Sequence, residues 1–500
     1  MSTPTITFTS AANQKLSVVE KIGYSLGDLS ANLIFSTLTT FLAFFYTDIY
    51  GIPASEATFI IGTVGLVGAF IFTPLMGILA DRTKTRWGKF RPWILWTAIP
   101  FGVIAILAFT TPDLNQDQKI VYAYVTYTLL LLIYAANNLP YAALSGVLTS
   151  NIEERNSVSS YRFVAVMVAQ LIIQVLLLPL ALMLGNGDKA VGFHNTIMLF
   201  AGMGTIFFLI SFFTTKERVL PIAASSNNVA DDIKDCFKNL PWIIMLLATV
   251  LAFISLSLRG GITIYYFQNY LNAPDLAAFL ESIGFNGFIA GLNAMFSGMG
   301  FSEFQWPKDP VISANSLFAA CSIIMQIIGI GFSKGLADRF GKRNVYTAFL
   351  TVSTSLILVF NFLSPTNIGL IFLAQILQGF FYGICVPILW AMISDVADYS
   401  EWKNNRRATA IIFSAMLIGL KAGLTIGGSL VAGLLAHYGY NASLMVQNEE
   451  TVEGIKTIMG VYASLPFFIS VGCLFFYSIN KKMELKLEAE LNSRRQTAGQ

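Results

Sequence analysis

The sequence predicts an all-α polytopic membrane protein, with twelve transmembrane helices in two six-helix bundles. Mean hydropathy is +0.65, and only 12% of the 500 residues are charged against 55% hydrophobic. Soluble chains carry roughly twice that charged share, about 25%. Apolar blocks of about 20 residues recur between short polar stretches, which is the length a helix needs to cross the hydrocarbon of a bilayer. A short motif also occurs in each half of the chain, GILADR ending at Arg82 and GLADR ending at Arg339.

The blocks are continuous and do not alternate, so helices satisfy the backbone in lipid where barrel strands would not. The first bundle is expected over residues 1–214, with spans at 22–46, 56–80, 92–111, 120–148, 159–185 and 194–215. The polar stretch 1–21 has no short apolar core followed by a small-residue cleavage site, so the first span is expected to be retained. Span two stops at the basic cluster Arg82, Lys84, Arg86, Lys89 and Arg91. A polar middle loop, 215–241, joins this bundle to the second, 242–480. There the spans are 242–270, 311–333, 345–362, 367–392, 408–435 and 457–480, followed by a polar tail, 481–500. Residues 272–310 form an insertion on the outer side, rich in Gly, Phe and Asn, readable as an external flap or as added packing.

Of the 31 Lys and Arg, Lys119, Lys189, Lys308 and Lys456 fall on one face and Arg162, Arg259 and Lys421 inside spans. All the others fall on the opposite face, which the positive-inside rule makes cytoplasmic, with both termini. Cys236, Cys321, Cys385 and Cys473 have neither metal-ligand nor paired spacing, so no metal, cofactor or disulfide is expected. His194 and His437 stand singly, and the sequence offers no nucleophile motif for an enzyme.

The repeated motif marks a parallel internal repeat, the architecture of alternating-access carriers. Asp81, Arg82, Asp338 and Arg339 are the expected gating residues, an acid followed by a base at each tight turn. Ionisable groups inside spans are costly and mark cavities. Asp28, Arg162, Arg259 and Lys421 are therefore the candidates for a polar pathway. Tyr24, Asp28 and Asn32 follow one another at i,i+4. Arg259 shares a stripe with Thr263, Tyr266 and Tyr270, and Trp390 adds a flat apolar face near Pro387. Asn137 and Asn138 precede Pro140 in span four. Hydroxyl-rich ligands need such paired donors, acceptors and aromatic faces.

The stretches GYSLGDLSANL at 23–33, FFYTD at 44–48, PLMG with TRWGKFRPW within 74–93, and NNLPYAAL at 137–144 resemble one family of sugar carriers. RGGITIYYF at 259–267 and DVADYSEWK at 395–403, followed by Lys421, extend the resemblance over nearly the whole length. It is to the glycoside/pentoside/hexuronide:cation symporters, within the major facilitator superfamily. That resemblance implies the major facilitator fold and a sugar site at the positions of Asn32, Asn138 and Arg162, with Lys421 tying helix 11 to it. Relatives place carboxylates where Asn32 and Asn138 stand, and two acids for the coupling cation where this chain has Ala69 and Thr73. A proton is thus favoured over sodium, with Asp28 as the proton-coupling group, and uncoupled transport remains open.

Asp28 set against Arg162, Arg259 and Lys421 leaves a positive surplus, which favours a uronic acid or acidic glycoside over a neutral sugar. Arginine can grip such a carboxylate through two parallel bonds. The expected protein is therefore a monomeric carrier in a bacterial inner membrane, contacting membrane lipid and no nucleic acid. A neutral glycoside or pentoside carrier is the alternative, and a lipid transporter a third reading.

Overall fold

The computed structural model describes residues 15–149, 151–218, 238–300, 305–404 and 409–498. The expected middle loop, 215–241, lies mostly outside them. Among the described residues the chain is helical, and its β-type pairing is an isolated bridge between Thr85 and Gly88. The described residues fall into two compact units, the first holding 15–45, 49–52 and 63–218 and the second the rest.

The first unit is built on α1 (Val18–Phe44), α3 (Thr73–Arg82), α4 (Arg91–Ala108), α5 (Gln116–Leu148), α6 (Ile152–Gly185) and α7 (Lys189–Thr214). Ahead of α3 runs α2 (Ala54–Val67). Polar caps set the starts: Ser17 accepts from the Glu20 amide, Asn115 and Gln118 form a reciprocal capping box, and Asp188 accepts from Ala190 and Val191. A π-helical turn, Gly68–Phe72, joins α2 to α3, and another, Phe45–Ile49, ends α1.

The second unit comprises α8 (Leu240–Asn269), α9 (Ala273–Ser282), α10 (Phe285–Gly298), α11 (Pro310–Phe340), α12 (Lys342–Val359), α13 (Ile368–Asn404) and α14 (Thr409–His437). It continues with α15 (Glu449–Thr457), a π-helical turn, α16 (Ala463–Leu474) and α17 (Lys481–Ala498). The short segments Tyr46–Asp48 and Pro53–Gly62 pack with this unit, where the Thr47 hydroxyl lies 2.7 Å from the Tyr265 hydroxyl.

Neighbour relations inside the units follow one plan. In the first, α1 packs on α6 and α7, α4 on α5 and α7, and α3 on α5. In the second, α8 packs on α14 and α16, α12 on α13 and α16, and α11 on α13. Small residues allow the closest of these approaches, as between membrane helices generally. A Cβ on Gly423 would lie 2.5 Å from the Val250 carbonyl oxygen, and one on Gly427 equally near that of Ile254, which fixes α14 against α8.

Among the described residues, eleven helices are long and apolar enough to cross a membrane. The remaining expected span, α12, starts with Lys342, Arg343 and Asn344, which lower its hydropathy while it still packs between α13 and α16. The insertion contributes a separate helix pair, α9 and α10, bent by 76°. Several helices outrun their expected spans: α6 starts at Ile152, α11 reaches Phe340 and α13 reaches Asn404. Apolar runs mark the part of a helix that sits in lipid, and charged turns continue the helix beyond it.

Candidate functional site

In the first unit, α1, α5 and α6 bring together most of the predicted polar residues. Arg162 Nε donates to Asp28 Oδ2 at 2.9 Å, the Asp28 side chain being 8% exposed and that of Arg162 28%. Asn32, one turn along α1, donates through Nδ2 to the Asp28 carbonyl at 2.8 Å and to Asp28 Oδ1 at 3.3 Å. The carboxylate is thus held from two sides, by a cation and by an amide.

Beneath the guanidinium, Tyr24 and Tyr141 stack with ring centroids 4.6 Å apart. Each phenol donates to the other's backbone carbonyl, Tyr24 Oη at 3.0 Å and Tyr141 Oη at 2.6 Å, which clips α1 to α5. Arg162 lies 5.7 Å and 5.4 Å from the two ring centres, within cation–π range. Tyr24 is fully buried, so its part is to seat Arg162 and not to offer an open hydroxyl. A second stacked pair, Phe35 and Tyr134 at 5.0 Å, joins the same two helices. Asn32 falls between Tyr24 and Phe35 on α1, and Asn138 between Tyr134 and Tyr141 on α5, so the two contacts bracket both amides. Asn138 is half-buried and makes no side-chain hydrogen bond among the described residues. Its neighbour Asn137 is buried instead and donates to Thr97 Oγ1 at 2.7 Å.

The second unit holds a different arrangement. Arg259 on α8 donates through Nη1 to Gln378 Oε1 at 2.6 Å and through Nη2 to Gln375 Oε1, both on α13. Gln378 donates onward to Ser353 Oγ at 3.1 Å, and the guanidinium lies 5.4 Å from the Phe360 ring. Arg259 Nε is buried without an acceptor among the described residues. Tyr266 is fully buried, stacked on Tyr270 at 4.9 Å, and its hydroxyl has no partner among the described residues. Trp390 and Lys421 are half-buried on α13 and α14. The residues missing from the sequence reading are Tyr141, Gln375 and Gln378. Tyr141 stands within a stretch quoted for the resemblance, but neutral glutamines in an apolar helix carry no local signal of an arginine more than a hundred residues away.

Of the expected gating residues, Arg82, Asp338 and Arg339 are exposed, and the Asp81 side chain lies outside those described. Asp338 forms no ion pair with a described side chain. Instead Lys481 donates to the Asp338 and Arg339 carbonyls at 2.8 and 3.1 Å, a cation at the carboxyl end of α11. The first unit has the inverse arrangement: Glu217 accepts from the Lys89, Phe90 and Arg91 amides at 2.7 to 2.9 Å, an anion at the amino end of α4. Ion pairs nearby join Arg218 to Glu20 at 2.6 Å, Lys21 to Glu154 at 2.8 Å and Lys342 to Asp395 at 2.5 Å. The hydrogen bond from Lys21, with a smaller one from the Leu16 amide, holds the Glu154 carboxyl below the usual glutamate range despite some loss of hydration.

Two units of one helical plan, each with charge buried among its spans, have the fold of the major facilitator transporters. The nucleoside transporter NupG shares that fold at a TM-score of 0.57 and 15% identity, over 91% of this chain and 99% of the other. The chain belongs to the family described as MFS/sugar transport protein, which it matches over residues 23–297 and 311–481. It is 35% identical to the inner membrane symporter YicJ of Escherichia coli K12, over 92% of this chain and 91% of the relative. The putative glycoside/cation symporter YagG of the same strain is also 35% identical, over 95% and 94%. The isoprimeverose transporter of Lactiplantibacillus pentosus is 30% identical over 95% and 91%. The protein is thus a multi-pass membrane transporter of the sugar-carrying branch of its superfamily.

Proposed function

We propose that the chain is an inner-membrane symporter for a neutral glycoside, coupled to protons through Asp28. The observation that carries the reading is the Asp28–Arg162 pair, bracketed with Asn32 and Asn138 between two aromatic contacts. The positive surplus counted from sequence set Asp28 against all three cations, and what remains of it rests on Arg259 and Lys421 in the second unit, not on Arg162. With Asp28 opposite it, the first unit presents a neutral pair, one side accepting and the other donating, beside two amides that do both. Sugar hydroxyls match that set without bringing a charge of their own. The isoprimeverose transporter and the glycoside/cation symporter among the relatives fit the same reading.

Coupling falls to Asp28 because the helix 2 position used by similar carriers is filled differently here. Thr73 donates its hydroxyl to the Gly68 carbonyl at 3.0 Å across the π-helical turn. Around it, Phe72 and Met76 pack with Trp93, Ala135, Ala136 and Leu139, an apolar setting that offers a sodium ion little oxygen. Protonating Asp28 removes the charge that holds Arg162, so proton and sugar binding are linked at one pair.

A second reading, an acidic sugar, is favoured by Arg259, whose acceptors Gln375 and Gln378 are neutral. Counterflow in proteoliposomes with matched neutral and uronic glycosides decides between them. The neutral-sugar reading expects neutral glycosides to exchange at least as well as their uronic counterparts, and Arg259→Gln to leave that order unchanged. Uronides winning by ten-fold, with Arg259→Gln erasing the difference, would establish the second reading.

A further inference from the structure

We infer that the insertion carries a re-entrant hairpin embedded in the outer-leaflet side of the membrane, with α10 lying against acyl chains. The inference is independent of the substrate reading.

Both ends of the hairpin emerge on one side of the second unit. Ser470, late in α16, donates to the carbonyl of Ala248, early in α8, at 3.2 Å, so those two helix ends share a side. Lys481, just after α16, reaches the carbonyls ending α11. The carboxyl end of α8 and the amino end of α11 therefore lie together on the far side, and the segment between them does not cross.

Nor does it stand clear of the spans. Leu276 and Leu280 on α9 are buried, and α9 packs on α11 and α13. Phe279 meets Phe372 with ring centroids 4.7 Å apart, and Phe372 meets Phe318 at 5.5 Å. Phe372 and Phe318 stand in the second and third turns of α13 and α11, at about 1.5 Å of rise per residue. That places α9 beside the spans about 6 to 12 Å below their ends. After the 76° bend, α10 returns toward the rim, where Asn293 Oδ1 accepts from the Trp306 amide at 2.9 Å. The Trp306 indole donates to Ser313 Oγ at 3.0 Å in the first turn of α11, a tryptophan at the level where such rings collect.

The composition of α10 selects the occupant of its outer face. From Ile283 to Met299 the chain has no charged residue. None of the α10 side chains is fully buried, and Ile283, Phe288, Met295 and Met299 are 50 to 66% exposed. An aqueous loop, or a face meant for a soluble partner, would be rimmed with charge. The apolar surface of α11 and α13 that faces lipid, including Ile324, Ile327, Leu370 and Leu373, continues on the same unit. Bilayer contact would remove this apolar surface from water.

The unmodified protein supplies its own control, because Met445 is fully exposed while Met295 and Met299 are 52 and 55% exposed. Aqueous hydroxyl-radical labelling of single copies in phospholipid nanodiscs would oxidise Met445 roughly twice as fast if all three faced water. The embedded hairpin predicts a difference of about ten-fold or more. A second measurement excludes protection by protein: a nitroxide at Phe288→Cys, with the native cysteines replaced by serine, should be open to oxygen and closed to an aqueous nickel chelate. Met295 and Met299 oxidising at half the Met445 rate, or a nitroxide closed to both reagents, would overturn the inference.

Discussion

Asp28 is 5% exposed, and its two carboxylate oxygens are taken by Arg162 and Asn32. Removing one partner of a buried pair leaves the other uncompensated and costs about 3 to 5 kcal/mol in full burial, less where one side is partly open as Arg162 is. Arg162→Gln should therefore lower the thermal midpoint more than the double variant Arg162→Gln with Asp28→Asn, measured on purified protein in the same detergent. Additive losses would mean that the pair is not coupled. Arg162→Lys keeps the charge but loses the planar seat over Tyr24 and Tyr141, and an affinity loss of roughly ten-fold in counterflow is expected. At this scale the sequence disclosed the stripe Tyr24, Asp28, Asn32, because i,i+4 spacing is local. It did not disclose depth: Tyr24 and Tyr266 lie on the predicted stripes yet are buried, since what covers a face comes from distant parts of the chain.

Among the helices, α14 comes close to α8, where Gly423 and Gly427 meet backbone carbonyls that cannot give way. Gly423→Leu should abolish or sharply reduce membrane expression, whereas Gly335→Leu, with nothing within 4 Å of its Cβ position, should express normally. Comparable yields of both would contradict the packing. Helix ends respond to pH through Lys21 and Glu154. Because the Glu154 carboxyl is held below its ordinary value of 4.5, the pair's contribution is present above that pH and is lost as pH falls through the lower folded value. The stability advantage of the native protein over Lys21→Met should thus shrink in unfolding scans taken from pH 6 down to pH about 3. A constant advantage would show that the pair does not act through Glu154. Helix boundaries were the least legible feature here, as the extra turns of α6, α11 and α13 are polar and are held by ion pairs such as Lys342 with Asp395.

Across the whole molecule, the repeat was readable because two copies of one short motif stand at matching turns, and the two units share one neighbour plan. The partners that answer the helix ends at those turns were not readable. The Asp338 and Arg339 side chains are exposed, while Lys481, which opens α17, and Glu217, just after α7, answer helix ends of opposite polarity. Coupling, too, belongs to the whole molecule, because it requires one site to bind sugar and a proton in linked fashion. The most direct measurement is proton movement driven by sugar: a neutral glycoside is added, without sodium, to de-energised proteoliposomes that enclose a pH-sensitive dye. Acidification of the interior on glycoside addition, absent in Asp28→Asn although that variant still exchanges sugar, is the predicted result. Glycoside entry without proton movement, or Asp28→Asn moving protons as the native chain does, would contradict it.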